Sequence, residues 1–350
     1  MITNLRLQYF RSYIDTSFTF YPGVTIIVGP NASGKTNLLE AILFVSRGSS
    51  YRAKDNELIH FGSDWMRLDA ETKEGPRIAK VRAGPQSAKT FEIHDQVVTR
   101  LHSSKMLPVV VFEPNHLFLL HGSPDMRRSF IDDLIEQSSA GFSTLRRNYK
   151  RVLSQRNALL KKNPKDLKEQ LFVWNLRLSE LGGQIVRERI ELIDRFSEHL
   201  PGLYDDLSRS HNVISLTYQS RCSPRSYESQ LLHKLETSID MDVIRGFTAY
   251  GPHRDDIEIR IDGKPARETA SRGETRTLVL GLKVLELQII EEAHKVKPIL
   301  LLDDVFSELD SKRRHALTEY VKPYQTFITT TDADVVAAHF TGNSSIVSMA

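Results

Sequence analysis

The residues Gly29-Pro30-Asn31-Ala32-Ser33-Gly34-Lys35-Thr36 carry the spacing G-x-x-x-x-G-K-T. A turn of this kind lets backbone N–H groups close on a phosphate, because no Cβ stands in the way at Gly29 and Gly34. Lys35 offers a positive charge to β- and γ-phosphates, and the Thr36 hydroxyl is an oxygen ligand for Mg²⁺. Context decides whether such spacing is meaningful. Ahead of it, Val24-Thr25-Ile26-Ile27-Val28 is short, apolar and β-branched, like a buried strand. Behind it, Asn37 to Phe44 has helical composition. A strand, a loop and a helix in that order aim helix N-terminal N–H groups at an anion. The ligand expected is a nucleoside triphosphate, ATP, with Mg²⁺.

Phosphate chemistry also needs a carboxylate near the metal. Ile299-Leu300-Leu301-Leu302-Asp303-Asp304 is an apolar run ending in two acids, which fits a buried parallel strand whose tip reaches a ligand crevice. Thr36 and Asp303 are the expected metal residues, Asp303 acting through water. Asp304 is placed to orient or deprotonate the attacking water, and with Lys35 forms the expected catalytic pair.

Other elements must position these groups. Leu5, Leu7 and Tyr9 alternate, as do Phe18 and Phe20, predicting two strands before the turn at Pro22-Gly23. Strand-like runs follow at Met66–Thr72, Arg77–Arg82, Phe91–Val98 and Leu107–Phe112. From about Asp125 to Leu200, helix formers dominate, and Trp174, Leu178, Leu181 and Ile185 make one apolar stripe. Pro164 and Pro201-Gly202 are expected to divide this region into separate helices. Alternation returns at Ile257, Ile259 and Ile261 before the hairpin turn Asp262-Gly263. Thr275 to Ala293 reads as a long helix. The pattern is a mixed α/β domain interrupted by a helical insertion.

The chain has 350 residues, 40% of them hydrophobic, with a formal net charge of +3. That permits nucleic-acid binding without arguing for it. Cys222 is the single cysteine, so no intrachain disulfide is possible. With no bilayer-length apolar run and no signal peptide in MITNLRLQYFRSY, a reducing cytoplasm and no membrane partner are expected.

Before the long helix lies Ala270-Ser271-Arg272-Gly273-Glu274-Thr275-Arg276-Thr277, and after Asp304 comes Ser307-Glu308-Leu309-Asp310. Alone, Ser-Arg-Gly-Glu would be a helix N-cap. In the order P-loop, this segment, Asp-Asp, Ser-Glu-Leu-Asp, the two resemble the signature and D-loop of ABC-type ATPases. The resemblance narrows to the RecF family of bacterial recombination-repair ATPases. Leu7–Tyr13 is similar to its N-F-R-x-Y segment, with Tyr9 in place of Asn. Gly29–Ile42 resembles G-P-N-x-x-G-K-T-N-L-L-E-A-I, Gly122–Asp132 resembles G-S-P-x-x-R-R-x-F-L-D, and Gly251–Asp256 matches G-P-H-R-D-D. Ser271–Leu280 resembles S-x-G-Q-x-R-T-L-x-L. Ala32 stands where the family has Gly, tolerable if its φ is negative. Glu274 replaces Gln, which puts an acid near a phosphate unless it points away or pairs with Arg272. The Q-loop would lie near Glu113 or Asn115.

The resemblance implies an ABC-type P-loop ATPase head related to SMC heads, with a helical insertion and no long coiled coil. Its parts would be 1–124 and 241–350 for the ATPase lobe and 125–240 for the insertion. It adds Arg11, Asn37, Ser271, Arg272, Gly273 and Glu274 to Gly29–Thr36 as nucleotide contacts. It also implies DNA binding at gapped duplex or single-strand/double-strand junctions, partnership with RecO and RecR in loading RecA, and a link to the SOS response. With one P-loop and one signature, two copies would join face to face through ATP. Hydrolysis would be slow, since Asp304 is shorter than the usual Glu. The densest basic stretch, Arg146, Arg147, Lys150, Arg151, Arg156, Lys161, Lys162, Lys165 and Lys168, makes Arg146, Arg147, Lys150 and Arg151 the expected DNA contacts. An ABC-transporter cassette shares the motif order but has closer motif spacing. An SMC-like structural head is disfavoured by length, and a P-loop kinase leaves Ser271–Thr277 unexplained.

Overall fold

The structure, a computed structural model, describes residues 1–84, 87–208, 210–340 and 344–349. The chain begins with β1 (Ile2–Phe10), β2 (Tyr13–Thr19), β3 (Val24–Val28) and α1 (Lys35–Arg47), then β4 (Trp65–Thr72), β5 (Gly75–Arg82), β6 (Ala88–Ile93), β7 (Gln96–Val98) and β8 (Val109–Phe112). Helices follow as α2 (Pro124–Ser138), α3 (Phe142–Lys162) and α4 (Leu167–Ser208), then β9 (Ile214–Gln219), α5 (Tyr227–Thr237) and α6 (Ile239–Arg245). The remainder is β10 (Asp256–Ile261), β11 (Lys264–Pro265), α7 (Ala266–Thr269), α8 (Arg272–His294), β12 (Ile299–Asp303), α9 (Val305–Glu308), α10 (Ser311–Val321), β13 (Thr326–Thr330), α11 (Ala333–Ala337) and β14 (Ser344–Ser348).

Two compact units result. The first joins Met1–Leu117 to Glu286–Ala350. It holds a parallel sheet in the order β14-β3-β13-β12-β8 and an antiparallel sheet in the order β2-β1-β4-β5-β6-β7. Every residue of β12 and β13 is buried, which is why they read as unbroken apolar runs rather than alternating ones. α1 contributes Leu38, Leu39, Ile42 and Phe44 to a core shared with Leu5, Leu7, Leu68, Leu301 and Phe327. β3 and β12 flank β13, and all three run parallel. The loop after β3 and the carboxylate ending β12 therefore emerge at the same edge. Phe91–Val98 is not one strand: His94 (φ 51°) and Asp95 (φ 60°) form a tight turn between β6 and β7.

The second unit spans Phe118–Leu285. It extends well past the 125–240 expected for the insertion, because β10 pairs with β9 along its whole length and carries 256–261 into this unit. Asp262 (φ 51°) and Gly263 (φ 75°) close the expected hairpin to β11. Pro164 does fall between α3 and α4, but Pro201 lies inside α4. Proline there loses one backbone hydrogen bond. The buried stripe Ile193, Phe196, Leu200, Leu203, Tyr204 and Leu207 continues through it, and packing carries the helix past the break. Among the described residues no helix is long and apolar enough to cross a membrane.

One member of the basic stretch is not a surface cation. Arg156 is fully buried and donates to Asp242 Oδ2 (2.8 Å), Asn175 Oδ1 (2.7 Å), Thr248 Oγ1 (2.8 Å) and the Leu235 carbonyl (3.0 Å). Removing one partner of a buried ion pair leaves an uncompensated charge. Asp242→Ala should therefore cost about 3–5 kcal/mol of stability in urea denaturation. A loss within the range of ordinary surface changes would show that the cluster does not hold this unit together.

Candidate functional site

The loop after β3 is held from several sides. Gly34 caps α1 at φ 96°, a left-handed conformation, and a Cβ there would meet Ser12 Oγ and Tyr13 Oη at 3.0 Å. Only glycine satisfies both demands. The Tyr13 hydroxyl donates to the Gly34 carbonyl (3.0 Å); burial pushes that phenol up to about 12, so it stays a donor. Asn37 Nδ2 donates to Ser12 Oγ (3.0 Å). Lys35 is buried, and its ammonium donates to the carbonyls of Gly29 (2.7 Å) and Pro30 (2.8 Å). It therefore lies along the concave face of the loop.

Thr36 and Asp303 meet, although 267 positions separate them: Thr36 Oγ1 is 2.9 and 3.1 Å from the two Asp303 oxygens. Asp303 ends β12 with its side chain 5% exposed. A carboxylate so buried needs partners. Thr329, at the tip of β13, donates to Oδ1 (2.8 Å), Arg52 to Oδ2 (3.1 Å) and Tyr51 to Oδ2 (3.4 Å). Arg52 also donates to Glu113 Oε2 (3.3 Å), whose carboxyl is pushed above its usual range by burial, against the pull of Arg52. Asp304 sits at φ 54°, its N–H donating to Thr329 Oγ1 (2.9 Å) and its side chain near Ser307 Oγ (3.0 Å).

These residues fit a magnesium–triphosphate. Ser33 Oγ is buried without a partner, and a Cβ at Gly29 would press on it at 2.6 Å. The loop is thus a cradle whose curvature depends on glycine. The candidate metal donors, the Thr36 hydroxyl and the Asp303 carboxylate, are hard oxygens of the kind Mg²⁺ takes. No group of three or more His, Cys, Asp or Glu side chains that could hold a metal occurs among the described residues.

In the second unit, Ser271 caps α8. The Ser271 N–H donates to Glu274 Oε2 (2.8 Å) and the Glu274 N–H to Ser271 Oγ (3.3 Å), a reciprocal capping box. His121 steadies the same turn, pairing with Thr275 Oγ1 (3.0 Å) and the Arg267 carbonyl (2.9 Å). On α3, Arg147, Lys150 and Arg151 are exposed. Arg146 differs from them: it is ion-paired to Asp132 (3.2 Å), Asp133 (2.9 Å) and Glu136 (3.1 Å), and its charge is largely neutralised.

The family model described as RecF/RecN/SMC N terminal domain matches residues 1–348. A DNA replication and repair protein RecF from Synechococcus sp. is 35% identical over 343 residues, covering 93% of this chain and 90% of its own. One from Heliobacterium modesticaldum is 34% identical over 361 residues, covering 99% and 96%. The chain belongs to the RecF family. The solved structure of the recombination mediator protein RecF-ATPrS in the RecFOR pathway superposes with a TM-score of 0.87 at 28% identity, over 96% of this chain and 94% of that one. The SmcHead bound to the C-winged helix domain of ScpA shares the fold at 20% identity, with a TM-score of 0.56 and 99% and 93% coverage. The fold is thus the ABC-type ATPase head of RecF and SMC proteins, with no long coiled coil among the described residues.

The departures from the RecF pattern resolve into geometry. Glu274 neither pairs with Arg272 nor stands free: it closes the cap of α8. Ala32 does not have the negative φ that would make it harmless; it sits at φ 67°. Arg11, also at positive φ (51°), is locked on Glu40 of α1 (2.8 and 3.0 Å) and the Glu57 carbonyl (2.9 Å). Its guanidinium braces the helix that carries Lys35. Arg52, Tyr51 and Thr329 were missed in the sequence, since a lone Tyr-Arg after a helix and a Thr-rich strand end carry no spacing signal. An alanine in the left-handed region costs about 1–2 kcal/mol, of which glycine forfeits part through unfolded-state entropy. Ala32→Gly should stabilise the protein by about 0.5–1 kcal/mol in chemical denaturation. Destabilisation would mean that the loop does not hold this strained turn.

Proposed function

We propose that this chain is an ATP-dependent DNA-binding protein of recombinational gap repair, in which ATP works as a clamp between two copies. The observation that carries this is the convergence of Lys35, Thr36 and Asp303, together with one separate, capped signature at Ser271–Glu274. RecF relatives matching over nearly the whole chain support it over a transporter cassette. So does the likeness to the recombination mediator proteins RecF-ATPrS and RecF-ATP.

In this reading Lys35 leaves the Gly29 and Pro30 carbonyls to neutralise phosphate charge, while N–H groups of Gly29–Thr36 line the chain of phosphates. Bound Mg²⁺ would supply a Lewis-acidic charge on the β- and γ-phosphate oxygens, held by Thr36 and Asp303. Asp304 takes the proton of the attacking water. Its hydrogen bond with Ser307 and its short side chain fit slow turnover, suited to a timer more than to a steady hydrolase. Ser271 and Gly273 would offer a hydroxyl and an N–H from the first turn of α8 to the γ-phosphate held by the other copy. The dimer would bind gapped or junction DNA and act with RecO and RecR to help load RecA in the cytoplasm. On α3, Arg147, Lys150 and Arg151 supply charge to DNA phosphates, with Arg146 contributing little.

Two measurements test this. In sedimentation, ATP should convert the wild-type protein from monomer to dimer. Ser271→Arg should still bind ATP and remain monomeric; normal dimerisation of that variant would remove the trans-capping role. Neutralising Arg147, Lys150 and Arg151 together should lower the slope of log affinity against log salt by about 2–3 for duplex DNA. An unchanged slope would place the duplex elsewhere.

A further inference from the structure

The segment Gly251-Pro252-His253-Arg254-Asp255-Asp256 lies in the second unit, and the nucleotide chemistry does not use it. Five of its six residues are committed inward. Gly251 holds φ 130°, and a Cβ there would strike Tyr149 Oη at 2.6 Å. The Pro252 carbonyl accepts from Arg189 (2.7 Å). His253 is bonded through one ring nitrogen to the Tyr149 hydroxyl (2.7 Å) and through the other to the Thr248 carbonyl (3.1 Å). Asp255 is buried and accepts from Tyr227 (2.7 Å), Tyr218 (2.8 Å) and Ser220 (2.9 Å). Asp256 takes a bidentate pair from Arg127 (both 2.8 Å). Arg254 alone turns to solvent.

So many buried bonds around one turn fix the place of that single outward side chain. Its guanidinium stacks on Phe247, 4.7 Å from the ring centroid, and Phe247 is itself 40% exposed. The next aromatic, Tyr250, has Arg221 at 5.6 Å and Lys234 at 5.1 Å from its centroid. Arg221, Tyr250 and Arg254 line a cavity of 260 Å³. The two carboxylates in that lining, Asp255 and Asp256, are already engaged by Tyr218, Tyr227, Ser220 and Arg127. None of the ion pairs among the described residues involves Arg221, Lys234 or Arg254. Cations without counter-ions, alternating with partly exposed aromatic rings, are the ingredients of a surface that tracks a sugar–phosphate backbone and stacks unpaired bases.

We propose that Arg254, Phe247, Tyr250, Arg221 and Lys234 form a binding site for single-stranded nucleic acid, distinct from the α3 cations and held rigid by the Gly251–Asp256 turn. The proposal rests on the DNA-binding reading above and names the strand type that this face takes. Arg254, Arg221 and Lys234 carry phosphates. Phe247 accepts an unpaired base in place of the guanidinium now stacked on it.

The test is fluorescence anisotropy of a labelled 20-nucleotide oligo-dT on the full chain with ATP, across a salt series. Arg254→Ala and Phe247→Ala should each weaken oligo-dT binding by about five- to tenfold or more. Arg254→Ala should also lower the salt slope by about one, whereas Phe247→Ala should leave the slope unchanged. A thermal melt at wild-type temperature is expected for both, since the two side chains face solvent. Wild-type oligo-dT affinity and slope in both variants would overturn the site while leaving DNA binding intact. Failure of the wild-type protein to bind any oligonucleotide, single-stranded or duplex, would overturn the site and the DNA-binding reading together.

Discussion

The first unit is organised around a buried carboxylate that needs polar partners. Asp303 is almost wholly buried, and an isolated charge there would cost several kcal/mol. Four side chains from three separate segments answer that cost: Thr36 from the start of α1, Thr329 from the tip of β13, and Tyr51 with Arg52 from the segment after α1. Each contact fixes a neighbouring element. Thr36 ties the phosphate loop to the acidic strand, and Thr329 bonds both Asp303 and the Asp304 backbone. A shift of β13 would therefore disturb the candidate metal carboxylate and the candidate base at once.

This arrangement demands the sheet order. Were β3 and β12 adjacent, their tips would lie one strand spacing apart, about 4.8 Å, leaving little room for a metal and two phosphates. Inserting β13 doubles the gap and supplies Thr329 in the middle of it. The parallel sense of all three strands puts their C-terminal tips on one edge, where α1 presents its N-terminus. Burial on both faces then requires apolar residues throughout, and Leu300, Leu301 and Leu302 meet that requirement.

Much of this was legible because it follows from local rules. Gly34 must be glycine for its φ, and β12 must be continuously apolar; Ser271 reads as a helix N-cap, but the return bond of Glu274 was not read. What escaped the sequence depends on long-range pairing. Arg156 and Arg146 look like their exposed neighbours on α3 until Asp242 and Asp132, distant in sequence, are brought against them. Pro201 looks like a helix break until a stripe of six buried residues is seen to run through it, three before and three after. That the second unit runs past 240 could not be placed from composition, because strand pairing between β9 and β10 carries 256–261 into it.

Among the described residues, the second unit contains three ion pairs with a buried arginine. Arg127 with Asp256, Arg189 with Asp132 and Arg156 with Asp242 all have an arginine less than a tenth exposed. Such pairs add little net stability compared with apolar packing of the same volume. Their value is directional. A bidentate guanidinium fixes the angle and register of the backbone it bonds, whereas leucine against leucine tolerates sliding. Two of the three pairs bond segments that the RecF pattern singles out: Arg127 to Asp132 on α2, and Gly251 to Asp256, which runs into β10. Geometry so constrained would suit the proposed presentation of charge at fixed points, and it gives a physical reason for polar motifs that lie outside the phosphate loop.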